Sequence, residues 1–158
     1  MKSINLKIDR MRFQTNQIGY ALTLLSLAIS LISLFTLITY DEFSSGEDPI
    51  RVIPDLRFGI EISLAIVLML MTFLAAEKVR YYHPFWSIYG LFVLAGINLL
   101  RIFNIPFYAF EKGWIRESTK MVTIIEFAVS AGLLVIAGIV SLIKVLQLRQ
   151  HLKETETS

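Results

Sequence analysis

Apolar residues fall into four long runs separated by short polar stretches. No Asp, Glu, Lys or Arg occurs from Phe13 to Tyr40, from Ile62 to Ala76, from Tyr81 to Leu100 or from Phe127 to Ile143. A helix crossing a hydrocarbon core needs about 20 predominantly apolar residues. Each run, extended by a few neighbours, reaches or approaches that length. The pattern predicts transmembrane helices at about 18–40, 58–76, 84–104 and 121–146. The expected fold is all-α: an integral membrane four-helix transmembrane bundle with short loops and an amphipathic N-terminal arm.

The polar stretches punctuate these runs. Residues 1–17 form a basic arm in which Ile4, Ile8 and Met11 recur at helical spacing, a pattern suited to lying on an anionic membrane surface. Residues 18–146 form one four-helix domain, and 147–158 a polar tail. Residues 41–55 carry two prolines and a Ser-Ser-Gly turn and read as a loop. At its end, Asp55 fits an N-terminal cap for the second helix. Pro84 can open the third helix and Pro106 can stop it. FYAFEKGWIRESTK then suits a loop lying in the interface. Tyr81, Tyr82 and Trp86 mark one membrane boundary, and Tyr40, Tyr108 and Trp114 the other.

Composition agrees with that division. Hydrophobic residues make up 55% of the 158 positions, and mean hydropathy is +0.63. Soluble domains fall below both values. The net charge of +2 is small, and the basic residues flank apolar segments, so no nucleic-acid partner is expected. Lys and Arg number nine on the side of both termini and six on the other. That asymmetry favours cytoplasmic termini in a cell membrane.

Candidate chemistry is sparse. There is no cysteine, which excludes disulfides, thiol redox catalysis and Cys-ligated metals. His83 and His151 lie far apart, so a His-based metal site is not expected. HExxH, a Gly-rich phosphate loop and G-x-S-x-G are all missing. No catalytic residue, metal or cofactor is assigned.

What stands out is charge inside the spans. Depth can be estimated from the helical rise of about 1.5 Å per residue. Glu61 lies about 5 Å, and Arg101 and Glu126 each about 8 Å, from the same membrane face by that rise. An unpaired charge in hydrocarbon is costly, and Arg can serve two carboxylates through its planar fork. The expected cluster is Arg101 with Glu61, Glu126 or both, and Asn98 one turn away. Small and polar residues trace a stripe on each helix, as closely packed membrane helices require. These are Gly19, Thr23, Ser26, Ser30 and Ser33 on the first, and Glu61, Ala65, Thr72 and Ala76 on the second. The third carries Ser87, Gly90, Asn98 and Arg101, and the fourth Glu126, Ser130, Ala137 and Ser141.

The layout resembles small four-helix bacterial inner-membrane proteins in general. With the bilayer, the expected partner is another membrane protein or a second copy. The leading expectation is an accessory or assembly subunit of a bacterial cytoplasmic-membrane complex. The alternative is an oligomeric transporter or channel with the Glu/Arg cluster as an ion- or proton-linked site.

Overall fold

The computed structural model describes residues 15–38 and 56–156. The N-terminal arm up to residue 14 and the 41–55 loop with its Asp55 cap lie outside the described residues, as does Tyr40. The described residues form five α-helices: α1 (Gln17–Ile38), α2 (Leu56–Arg80), α3 (Leu91–Ile102), α4 (Ile105–Glu111) and α5 (Glu117–Glu156). A π-helical turn, Trp86–Gly90, leads into α3. No strand occurs among the described residues. Four stretches are long and apolar enough to cross a membrane: Gln17–Leu37, Leu56–Arg80, Trp86–Glu111 and Glu117–Lys153.

Several boundaries differ from the sequence expectation, each for a local reason. The third span is not one helix. It is helical from Pro84, as expected, but runs at once into the π turn, where the Trp86 ring folds along the backbone over Gly90. A Cβ at Gly90 would sit 2.4 Å from Trp86 Cε3. Pro106 does not stop α3. That helix has already closed at Ile102, and Pro106 lies in the first turn of α4, where its missing N–H costs nothing. The interface segment is therefore partly helical. It ends at Gly113, whose φ of +70° lets the Trp114 N–H reach back to the Ala109 carbonyl. Finally, α5 continues to Glu156, because Gln, Leu, Arg, Lys and Glu extend a helix readily.

In the packing, α5 lies against α1 and α3, and α2 lies against α1. The first and last long helices are thus neighbours. The small and polar stripes turn inward: Thr23, Ser26 and Ser33 on α1, Glu61, Ala65, Thr72 and Ala76 on α2, Asn98 and Arg101 on α3, and Ser130, Ala137 and Ser141 on α5 are all buried. Leu, Ile, Val and Phe cover the outer surfaces, including Ile66, Leu70, Phe73, Ile136 and Ile139. A lipid-facing surface needs that composition, since hydrocarbon imposes no penalty on exposed aliphatic groups.

The interior is layered. Towards the α2–α3 turn, Ala75, Val79, Leu91, Leu94, Ala95, Leu134 and Ala137 form one apolar cluster. Towards α4, Leu37, Ile105, Ala109, Ile115 and Phe127 form another. Polar side chains fill the level between them. Beyond the second cluster, rings and cations meet. Trp114 packs edge-on against Phe58 and Tyr108, with centroids 5.2 and 5.7 Å apart. Arg57 lies 4.1 Å over the Tyr108 ring, and Lys120 lies 4.0 Å over Phe110.

Candidate functional site

The polar level is built from four helices. Arg101 stands in the last turn of α3, where the helix dipole favours a cation. Glu61 stands in the second turn of α2. The antiparallel run of α2 and α3 brings these two turns to the same depth. Arg101 Nε donates to Glu61 Oε1 at 2.7 Å, with the residues only 7% and 6% exposed. Each charge removes the penalty the other would suffer in an apolar surround. The guanidinium also lies over Phe127, 4.5 Å from the ring centroid. A cation over a desolvated ring gains about 2 kcal/mol.

Asn98 does not join this pair. Its Nδ2 donates to Ser130 Oγ on α5 at 3.3 Å. Ser130 is the centre of a separate hydroxyl cluster. Its Oγ lies 2.8 Å from both Ser26 Oγ and Ser30 Oγ, and Ser26 Oγ donates to the Ser130 carbonyl at 3.0 Å. One serine thus ties α1, α3 and α5 together. A cavity bordered by Ser30, Leu68, Thr72, Asn98 and Arg101 links the two groups. It has room for about one water molecule.

Glu126 stands apart from both. It matches Arg101 in depth but not in direction. One residue further along α5 the side chain turns by about 100°, and it is Phe127 that meets the guanidinium. Glu126 points instead to the seam with α1. There Thr36 Oγ1 approaches Glu126 Oε1 at 3.2 Å. The other carboxylate oxygen, Oε2, is buried with no hydrogen-bond partner among the described residues, and so is Ser33 Oγ.

At the opposite end, Asn16 is fully buried, and its side chain and N–H make three bonds. Its Oδ1 accepts the Gly19 N–H at 3.1 Å, capping α1. Its Nδ2 donates to Ser141 Oγ at 2.9 Å, and its N–H donates to the Arg80 carbonyl at 2.9 Å. The site residues that sequence reasoning leaves out are Asn16, Thr36 and Phe127. For Asn16 a signal exists, since Asn directly before an apolar run is a helix-start pattern. For Thr36 and Phe127 none does, because their roles depend on how α5 is rotated.

No group of three or more His, Asp or Glu side chains converges on a common point among the described residues. Compared with known proteins, the chain matches no family, no curated protein and no solved structure.

Proposed function

We propose that this chain is a small multi-pass membrane protein serving as an accessory or assembly subunit of a bacterial cytoplasmic-membrane complex, with both termini cytoplasmic. One observation carries the reading. Most of the buried polar side chains between the two apolar clusters are spent on one another, Arg101 on Glu61 and Ser130 on Ser26, Ser30 and Asn98. The cavity among them has room for about one water. A bundle whose polar groups hold helices together suits a partner-binding or scaffolding role better than a solute path. Purification from native membranes in mild detergent should recover a second membrane protein in fixed ratio. Recovery of a bare monomer, with no crosslinks formed in the native membrane, overturns the proposal.

The orientation can be checked directly, because the natural chain supplies a cysteine-free background. A thiol introduced by Gln150→Cys should react with an impermeant reagent only after the membrane is opened. Labelling of intact cells would reverse the topology.

A second reading is an oligomeric transporter or channel that uses Glu61, Arg101 and Glu126 as an ion- or proton-linked site. It draws on Glu126, which has no cationic partner among the described residues. Flux in liposomes that is unchanged by Glu61→Gln and by Glu126→Gln sinks that reading.

A further inference from the structure

We propose that Glu126, with Ser33 and Thr36, forms a proton-binding site on the seam between α1 and α5, separate from the Arg101–Glu61 pair. Three observations converge there. First, the carboxyl has no counter-charge among the described residues. Between Gln17 and Ile38, α1 carries no acid or base apart from Tyr20 at its far end. Arg101 on α3 is held by Glu61 and Phe127. On α5 itself the nearest ionisable groups are Glu117 and Lys120, with Lys120 turned onto Phe107 and Phe110, while Lys144 lies five turns further along.

Second, two hydroxyls line the carboxyl and can serve it as donor or as acceptor. A hydroxyl carries one hydrogen. Thr36 Oγ1 lies 3.0 Å from the Ile32 carbonyl and 3.2 Å from Glu126 Oε1, so its hydrogen can serve only one of two acceptors. Ser33 is fully buried beside the same carboxyl, yet its Oγ makes no hydrogen bond of proper geometry, and neither does Glu126 Oε2. As a carboxylate, Oε2 can take only the single Ser33 hydrogen and stays charged; as a carboxyl, it carries a donor of its own and no charge. Oε2–H then donates to Ser33 Oγ, and Thr36 keeps its hydrogen bond to Ile32. The same proton cancels a charge that is costly in hydrocarbon.

Third, the group is within reach. Glu126 is the one member of the α5 polar stripe that is only half-buried, while Ser130, Ala137 and Ser141 are closed off. The carboxyl therefore stands at the edge of the bundle, where a reagent dissolved in lipid can approach it. This inference does not rest on the accessory-subunit reading; it requires only that the α1–α5 seam lie in a membrane.

The test uses the full chain in phospholipid vesicles at neutral pH. Dicyclohexylcarbodiimide enters lipid and traps protonated carboxyls: the O–H adds across a C=N bond, and acyl migration to nitrogen leaves a stable N-acylurea. Mass mapping of wild-type protein should place the adduct on Glu126. Infrared spectra should show a protonated-carboxyl C=O band that shifts in D2O. That band should be lost in Glu126→Gln, retained in Glu61→Gln and moved in frequency by Ser33→Ala. An adduct on Glu61 instead of Glu126, or a spectrum unchanged by Glu126→Gln, overturns the proposal. Loss of the adduct on adding sodium also overturns it, because the site would then hold a metal cation in place of the proton.

Discussion

Asn16 and Ser141 lie 125 positions apart in the chain and share a fully buried 2.9 Å hydrogen bond. The same asparagine caps α1 through Gly19. Replacing Asn16 by Ala removes both bonds, and we expect a loss of about 1–3 kcal/mol. Ser141→Ala should cost less, because the cap survives. In a double-mutant cycle read by unfolding in detergent, the two losses should fall short of additivity, as expected for residues in contact.

The Arg101–Glu61 pair gives a sharper contrast. Arg101→Ala strands a buried carboxylate and should cost about 3–5 kcal/mol. Arg101→Met combined with Glu61→Met should recover most of that loss, since an apolar pair fits the same surround. Arg101→Ala combined with Glu126→Gln should be additive, because those side chains do not meet. Coupling between Arg101 and Glu126 in the unfolding data would contradict the geometry found here.

Ser130 should matter more than the serines it serves. Hydrogen bonds between membrane helices average about 0.6 kcal/mol. Ser26→Ala and Ser30→Ala should each cost about that amount. Ser130→Ala withdraws a partner from Ser26, Ser30 and Asn98 together, so it should cost about twice as much. Thermal unfolding of the three variants in one detergent ranks them.

Glycines divide by what surrounds them. A Cβ at Gly19 would lie 2.4 Å from Ser141 Oγ and 2.5 Å from Asn16 Nδ2. Gly19→Ala should therefore destabilise by about 1–3 kcal/mol. At Gly96 and Gly132 a Cβ would meet nothing within 4 Å. There alanine should stabilise the helix by about 0.5–1 kcal/mol. Melting temperatures that fail to separate Gly19 from Gly96 and Gly132 would refute the packing of α1 on α5.

Tyr82 closes α2 in the left-handed region, with φ at +58°, and its buried hydroxyl has no partner among the described residues. Burial pushes this phenol above its ordinary value of 10.0. The unfolded chain then releases the proton first. The stability held by neutral Tyr82 is complete below pH 10 and is lost as pH rises through the folded value. Tyr82→Phe should keep the fold at neutral pH and blunt this alkaline loss, as followed by circular dichroism against pH.

The apolar runs made four spans legible, and helical rise made the meeting of Arg101 and Glu61 legible. Depth along a helix follows from residue count alone. Direction around the helix does not. Glu126 has the right depth, but the rotation of α5 presents Phe127 to the guanidinium, and that rotation is fixed by α1 packing on the opposite flank. The importance of Ser130 depends likewise on α1 and α5 being neighbours, a choice of bundle topology that no local pattern encodes. The π turn at Trp86–Gly90 was hidden for a different reason: it arises from how one ring lies along one glycine.

The Asn16–Ser141 bond fixes where α1 begins relative to α5, and α5 continues for 15 residues beyond it. At about 1.5 Å per residue this overrun is about 22 Å long. It contains neither Gly nor Pro, so it has no built-in joint. This end of α5 therefore extends past the bond as a single stiff rod, carrying Arg149 and Lys153 at a set distance from the start of α1.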